Sequence, residues 1–307
     1  EHENSNKSRM ESLLEINLPV FAIGLGTQMH YDQTYSDLGP HTREFLLVLC
    51  KKAKSISVRD NFTAQIFLDV GFSNVYATGC PSNFISPNVE LGGSICNKLH
   101  EIQTNHDDWH SVYTAIQEYS GKSEYSSAIF SHHYKFITTY PSQYFVQDFP
   151  LIRKLLEFPF VLPNEYDQIH FSSISDINPV KYKAEIRNKS IFFTDFSAWM
   201  SHVRRFDLSF GMRLHGNMAA LQAGVPCAVI AHDLRTKELS NLMSIPSIDP
   251  HDFIAMDFST PSKISELMLP FFGKYDETRS NLAKKMIACM RDSGFSPSSQ
   301  LLSIGRE

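Results

Sequence analysis

Residues 207–239 read DLSFGMRLHGNMAALQAGVPCAVIAHDLRTKEL, and this stretch decides the fold of the chain. Its pattern predicts an apolar strand over 207–210, a tight turn, a helix of small residues over 214–223 and a second apolar strand over 227–231. This order is typical of a parallel sheet covered by helices, in which ligands bind beyond the carboxyl ends of the strands. The polar turns that follow the two strands are therefore the first candidates for a functional site.

The first turn carries Arg213, Leu214 and His215. An arginine keeps its charge and can hold a phosphate or carboxylate through paired donors, whereas a histidine can exchange a proton near neutral pH. Gly216 would let a ligand approach the backbone, and the start of the helix adds partial positive charge. The pattern favours an anion site with His215 as general acid or base over the alternative of a structural arginine and a buried histidine.

The second turn places two acids and two cations within Asp233–Glu238. Asp233 and Arg235 could contact a substrate from the turn, and Glu238 could do so from the helix that follows. Charged residues are also common where helices begin, so capping and solvation are a strong alternative explanation of this turn.

The N-terminal part of the chain shows the same alternation of strands and helices. The pattern predicts strands over 18–24, 55–58 and 75–78, with helices over 42–54 and 61–70 between them. Arg59 leaves the second of these strands and would face a ligand from the first domain. Alternatively, Arg59 and Asp60 form a surface ion pair at a helix start, worth about 0–1 kcal/mol. Spacing alone does not choose between the two.

We predict two α/β domains with a ligand in the cleft between them. The first covers 1–98, with a polar leader over 1–12 and a linker over 82–98; the second covers 99–275, and a helix over 276–307 packs back across the domains. Further strands are predicted near 99–104, 143–147, 169–172 and 191–194, and helices over 109–119, 126–138, 196–204 and 262–269. Because the first domain shows about three strands where five or six are usual, we expect it to be incomplete at its N-terminus.

Composition and motifs exclude several classes of function. A net charge of −5 over 307 residues gives no general attraction for nucleic acid, so an anion site must be local. Five scattered cysteines without a CxxC pair favour reduced thiols in an intracellular protein, and no segment is long and apolar enough to span a membrane.

Cofactor motifs are equally weak. Gly24-Leu25-Gly26 is followed by Met29 where a dinucleotide-binding fingerprint needs glycine, and the sequence has no P-loop motif. His106 and His110 have the i, i+4 spacing of metal ligands, but thirteen histidines make chance spacing the better explanation. We therefore expect neither a metal nor a cofactor.

Two stretches resemble the polysaccharide pyruvyl transferases, which form ketals on bacterial surface polysaccharides and some yeast glycans. One runs from Ser57-Val58-Arg59-Asp60 to Thr78-Gly79-Cys80-Pro81-Ser82; the other runs from Gly211 to Ala220 and continues through Gly224-Val225-Pro226 to Asp233 and Leu239. The resemblance spans about residues 18–245, and its middle matches only in pattern. It implies a GT-B-like fold, in which two Rossmann-like domains face a cleft.

The resemblance also implies a reaction. The donor would be phosphoenolpyruvate, and the acceptor would be a sugar with two suitably placed hydroxyls, alone or in a lipid-linked oligosaccharide. Arg59, Arg213 and Leu214 would bind the donor and His215 would be catalytic, in a protein that is cytoplasmic or peripheral to the inner membrane. Further substrate contacts would come from Gly216, Asn217, Asp233, Arg235 and Glu238.

Two other functions stay open. A GT-B glycosyltransferase would bind a nucleotide sugar and would not respond to phosphoenolpyruvate. A catalytically inert member of the family would bind a glycan, which would protect it against thermal unfolding where phosphoenolpyruvate would not. The intact Arg213-Leu214-His215 turn favours the pyruvyl transferase.

Overall fold

Short parallel strands that lead into helices recur along the chain. The computed structural model describes residues 2–27, 33–104, 111–114, 138–147, 188–256 and 261–306, and also positions 132, 135, 181, 184 and 185. The helices are α1 (His2–Glu15), α2 (Pro40–Lys52), α3 (Asn61–Asp69), α4 (Leu91–Thr104), α5 (Phe196–Val203), α6 (Leu214–Gln222), α7 (Leu234–Leu242), α8 (Pro250–Ala255), α9 (Pro261–Asp292) and α10 (Ser299–Gly305). The strands are β1 (Val20–Leu25), β2 (Ala53–Val58), β3 (Val75–Ala77), β4 (Ser111–Thr114), β5 (Ser142–Phe145), β6 (Ser190–Ile191), β7 (Leu208–Gly211), β8 (Cys227–Ile230) and β9 (Ser247–Ile248).

The chain divides into two compact units. The first contains Glu1–Val89, Asp233–Ser244 and Tyr275–Glu307, and the second contains Glu90–His232 and Ile245–Lys274. Segment 233–244, which lies in the predicted second domain, groups with the first unit because α7 packs there. The Cys80 backbone N–H donates to the Met243 Sδ at 3.4 Å, and Leu242 packs against the core of the first sheet.

The first unit contains, among its described residues, a parallel sheet in the order β1-β2-β3. Ile56 and Val58 of the central strand are fully buried, and Leu49 of α2 and Phe67 of α3 join them in one hydrophobic core. Parallel strands need crossover connections, which α2 and α3 supply. The predicted alternation of strands and helices in this part of the chain is confirmed.

The predicted polar leader is a helix, α1, that is anchored to the start of α2. The Glu3 carboxylate accepts from the backbone N–H of His41 at 2.9 Å and of Thr42 at 3.2 Å, and also from the Thr42 hydroxyl. These bonds, the Thr42 hydroxyl foremost, lower the pKa of Glu3. A Cβ at Gly39 would overlap the Glu3 carboxylate, so a larger residue there would displace this side chain. Sequence patterning missed α1 because its apolar residues are few.

The second unit contains, within the described ranges, a parallel sheet in the order β6-β5-β4-β7-β8-β9. At its centre Phe210 of β7 lies opposite Ala228 of β8, and both are fully buried. Ala219 and Ala220 of α6 are also fully buried, because small side chains let a helix lie close to the sheet. An α/β fold with parallel sheets is therefore confirmed, whereas the facing cleft of a GT-B arrangement stays a prediction.

Several local predictions were wrong. Residues 99–104 are the end of α4 rather than a strand, and most of α4 lies before them in the predicted linker. Leu91, Ile95, Leu99 and Ile102 are buried at helical spacing, a periodicity that the Ser- and Gly-rich context obscured. Residues 111–114 form β4 instead of part of a helix. The helix predicted over 262–269 and the first part of the helix predicted over 276–307 belong to one helix, α9, which ends at Asp292, and a separate helix, α10, follows it. The strand predicted near 169–172 and almost all of the helix over 126–138 lie outside the described residues.

A buried arginine of α9 binds the segment that precedes α4. The Arg279 side chain is only 1% exposed, and its guanidinium donates to the carbonyl oxygens of Asn83 at 2.8 Å and Asn88 at 2.6 Å, and to that of Ser86. The Tyr275 hydroxyl, one turn earlier, donates to the Asn83 side-chain oxygen at 2.6 Å. Residues 83–88 have few regular backbone bonds of their own, so α9 supplies their partners.

Arg279→Ala should destabilise the first unit strongly, because it leaves buried carbonyl groups without donors and opens a cavity. We expect a loss of about 3 kcal/mol or more in the free energy of unfolding, measured by urea denaturation. Lys285→Ala, an exposed position on the same helix, is the control and should change the free energy by about 0.5 kcal/mol or less. Equal effects of the two substitutions would contradict the structural role of Arg279.

Candidate functional site

The turn between β7 and α6 begins with a residue that must be glycine. Gly211 has a φ of 145°, which a side chain would strain, and it ends a fully buried strand. Met212 is 2% exposed and fixes the turn to the core. Arg213 is then the N-cap residue of α6, in an extended conformation. The chain thus reverses from strand to helix within two residues, at the carboxyl edge of the sheet.

The side chain of Asn217 holds this turn together. Its amide nitrogen donates to the carbonyl oxygens of Gly211 at 3.0 Å and Arg213 at 3.3 Å, and its amide oxygen accepts from the Ser209 hydroxyl at 2.9 Å. Asn217 and Ser209 are fully buried. We therefore infer that Asn217, predicted as a possible substrate contact, acts by positioning the backbone of the Arg213 turn.

The guanidinium group of Arg213 has a hydrogen-bond donor that the described part of the chain does not use. Its Nε is buried and has no hydrogen-bond partner, and the described residues form no ion pair with Arg213. Leu214 is half-buried beside it, His215 is exposed in the first turn of α6, and Gly216 is buried behind them. The predicted strand, turn and helix are all confirmed, and they place Arg213 and His215 two positions apart at the helix start.

In the first unit, Arg59 occupies the corresponding position after β2. Its backbone N–H donates to the Leu25 carbonyl at 2.7 Å, which ties the exit of β2 to the exit of β1. The Nε of Arg59 is buried without a partner, and no ion pair with a described residue is formed. The predicted surface ion pair between Arg59 and Asp60 is therefore not formed.

Two glycines of β1 and its exit lie at close contacts. A Cβ on Gly26 would lie 3.1 Å from the Arg59 Cδ and 3.6 Å from its Cγ, so this glycine gives room to the arginine stem. A Cβ on Gly24, which has a φ of +66°, would instead lie 2.9 Å from the Pro81 Cδ. As a dinucleotide fingerprint, Gly24-Leu25-Gly26 gives no hint that Gly26 lies against the arginine stem.

Asp60 is a buried carboxylate at the same edge. It is 2% exposed and caps α3 by accepting from the Thr63 backbone N–H at 2.6 Å. Burial, with a smaller contribution from the negative charge of Glu238, raises the pKa of Asp60, although the Thr63 bonds and Arg59 oppose this. Glu238 on α7 therefore lies close enough to Asp60 for their charges to interact.

The second predicted turn belongs to the first unit, where it caps α7. The Asp233 carboxylate accepts from the Thr236 backbone N–H at 2.7 Å, and its other oxygen lies 3.7 Å from the Arg235 Nη2. Capping, the alternative given by the sequence, is thus confirmed for Asp233. Substrate contact by Asp233, Arg235 and Glu238 stays a prediction.

No metal site and no membrane helix were found within the described residues. No group of three His, Cys, Asp or Glu side chains in these ranges could hold a metal ion. The His106–His110 pair lies outside the described residues. Among the helices that the structure describes, none combines the length and apolar character needed to cross a membrane.

Comparison with known proteins points to one family. A family model described as polysaccharide pyruvyl transferase matches residues 6–233, which are 228 of the 307 residues. No curated protein matches the sequence. Among solved structures, the chain is similar to a protein described as a UDP-N-acetylglucosamine 2-epimerase from Listeria monocytogenes, with 11% identity over 96% of this chain and 81% of that chain and a TM-score of 0.38. It is also similar to S. aureus MnaA solved with UDP, with 12% identity over 97% and 83% and a TM-score of 0.48.

Asn217→Ala should destabilise the protein, because it leaves the Gly211 carbonyl and the Ser209 hydroxyl buried without partners. We expect a loss of about 1–3 kcal/mol in the free energy of unfolding, measured by urea denaturation. Ser201→Ala, at an exposed position on α5, serves as the control and should be close to neutral. If Asn217→Ala behaves like the control, the amide does not hold the turn.

Asp60→Asn should change the pH dependence of stability. Because the folded-state pKa of Asp60 is raised, the folded protein binds this proton more tightly than the unfolded chain does, and wild-type stability gains from Asp60 as the pH falls through that pKa. Asparagine can still cap α3 but does not titrate. The variant should therefore be most stable relative to wild type at neutral pH, and this advantage should shrink towards about pH 4. Urea denaturation over this range, with Asp69→Asn as the exposed control, measures the difference; an advantage that grows towards low pH would contradict the raised pKa.

Proposed function

Because the chain belongs to the polysaccharide pyruvyl transferase family, we propose that it transfers a pyruvyl group from phosphoenolpyruvate to two hydroxyls of a sugar, forming a cyclic ketal. The observation that carries this proposal is the turn after β7, where a buried asparagine fixes the backbone that bears Arg213 and His215. An arginine close to a histidine suits phosphoenolpyruvate, which is a trianion and reacts by accepting a proton.

Arg213 is proposed to bind an anionic group of the donor. A guanidinium matches the geometry of both phosphate and carboxylate, and the buried Nε of Arg213 has no acceptor within the described part of the chain. The N-cap residue makes no side-chain capping bond at the start of α6, and the positive end of the helix dipole lies at the same place. Leu214 would contact the donor beside it.

His215 is proposed as the general acid. Its exposed place in the first turn of α6 leaves it accessible to a ligand. As an imidazolium it would give its proton to the methylene carbon of phosphoenolpyruvate. The electron pair of the carbon–carbon double bond forms the new C–H bond, so the methylene carbon becomes a methyl group and positive charge develops on the neighbouring carbon. Arg213 would offset the charge of the phosphate while this cation forms.

Two hydroxyls of the acceptor complete the reaction. The first adds to the cationic carbon, the bond from that carbon to the phosphate oxygen then breaks with its electron pair, and the second hydroxyl adds to close the ketal. Of the two hydroxyl protons, one replaces the proton given by His215 and the other leaves with phosphate.

Asp233, Arg235 and Glu238 are proposed to contact the sugar, and Arg59 is proposed as a further residue that binds phosphoenolpyruvate. The reaction needs no redox cofactor.

Phosphoenolpyruvate should bind the wild-type chain saturably, and Arg213→Gln should weaken this binding about tenfold or more, because a charge-assisted hydrogen bond is lost. Calorimetric titration measures both. Arg204→Gln, at an exposed position of the same unit, is the matched control and should bind like wild type. Absence of binding by a folded wild-type chain would overturn the donor assignment.

His215→Asn should bind phosphoenolpyruvate like wild type but should release phosphate about 10²–10⁴-fold more slowly when acceptor glycans are supplied. In D₂O the wild-type product should carry one deuterium in its methyl group, since the transferred proton exchanges with solvent through the imidazole. A rate that is unchanged in His215→Asn would show that another group donates the proton.

A further inference from the structure

The first unit contains a cavity of about 450 Å³ beyond the carboxyl end of β1. This volume lies in the range of small-molecule sites, and the edge of a parallel sheet is where such sites form. The described residues that line the cavity include Asn6, Arg9, Thr42 and Arg235. All of them belong to the first unit.

The lining separates into apolar and cationic parts. Leu25, Phe45, Leu46 and Phe67 also contribute to the hydrophobic core of the first sheet, so one side of the cavity is apolar and firmly packed. Within the described lining only Arg9 and Arg235 are charged, and both are positive. A site with an apolar side and two arginines is complementary to an anion carried on a ring.

Arg9 is held at the cavity by a chain of hydrogen bonds from α2. The Asn6 amide nitrogen donates to the Thr42 hydroxyl at 2.8 Å, and the Asn6 amide oxygen accepts from the Arg9 Nη1 at 2.8 Å. The Glu3 carboxylate fixes the start of α1 to the start of α2 in the same region. Glu3 and Asn6, which precede Arg9 at successive turns of α1, thus restrain the position of this exposed cation.

Arg235 reaches the cavity from the first turn of α7. Among the described residues it pairs with an Asp233 oxygen at 3.7 Å, beyond hydrogen-bond distance, and Asp233 is already engaged in capping the helix. A pair this long and partly exposed neutralises the cation only weakly. Arg235 therefore keeps donors available for a ligand.

From these observations we infer that the cavity binds a phosphate monoester carried on a ring, with the ring on the apolar side and the phosphate on Arg9 and Arg235. A sugar phosphate has this chemistry, since the faces of pyranose rings are apolar. The identification of this ligand as the acceptor sugar, with its anionic group, rests on the proposed function. The inference that the cavity binds a ring-bearing phosphate monoester does not rest on it.

The test is calorimetric titration of the intact chain with glucose 1-phosphate and phenyl phosphate, and with glucose and inorganic phosphate as the partial ligands. At least one of the ring-bearing monoesters should bind about tenfold or more tightly than either partial ligand, because only the monoesters use both parts of the cavity. Arg9→Gln and Arg235→Gln should each weaken that binding about tenfold. Arg43→Gln, a cation of α2 that bonds to the Ser36 carbonyl outside the cavity, should not.

Binding no tighter than that of inorganic phosphate, or binding that neither Arg9→Gln nor Arg235→Gln weakens, would overturn the inference. Phosphoenolpyruvate titrated into the Arg9→Gln/Arg235→Gln double variant separates this site from the proposed donor site. Donor binding that survives in the double variant and is lost in Arg213→Gln supports two distinct sites. If the wild type binds a ring-bearing monoester but not phosphoenolpyruvate, the proposed function fails while the cavity site stands.

Discussion

The turn that carries Arg213 and His215 depends on one buried amide group. The Asn217 amide nitrogen donates to the carbonyl oxygens of Gly211 and Arg213 at the sharp reversal from β7 to α6, and its amide oxygen accepts from the Ser209 hydroxyl of the strand itself. A buried polar group left without a partner costs about 1–3 kcal/mol, so this side chain contributes to the stability of the turn. Gly211 then becomes necessary, because the conformation that Asn217 stabilises has a φ that favours glycine.

At the end of β2, different residues supply the hydrogen bonds of the turn from strand to helix. There the backbone N–H of Arg59 pairs with the Leu25 carbonyl, and Asp60 accepts from the start of α3. The stem of the Arg59 side chain has space because Gly26 has no side chain, whereas Gly24 lies against Pro81. In both units, therefore, the backbone groups of the turn have hydrogen-bond partners other than the arginine side chain. That side chain is not needed to complete the turn.

The sequence predicts those parts of the fold that depend on local pattern. The strands β7 and β8, the helix α6 and the cap at Asp233 follow from apolar runs, small residues and a capping side chain that are neighbours in the chain. The features it missed depend on partners distant in sequence: Glu3 reaches α2 across 38 residues, and Arg279 reaches Asn83 across 196. Helix α4 was missed for a different reason, since two glycines and a serine near its start hid a regular apolar stripe. No periodicity could have revealed the pairing of Gly26 with Arg59, which requires two strands to be adjacent.

One buried arginine and two partly buried arginines differ in how their hydrogen-bond donors are used. The Nε and both terminal nitrogens of Arg279 donate to backbone carbonyl oxygens, and removing this side chain would take the donors away from those carbonyl groups. Arg59 and Arg213 each keep a buried Nε without an acceptor in the described chain, at an energetic cost that the fold does not recover. A donor left unpaired at the carboxyl edge of a parallel sheet gains its partner when an anion binds. In a chain of net charge −5, which attracts no anion as a whole, such local positions are where binding energy for an anionic substrate can come from.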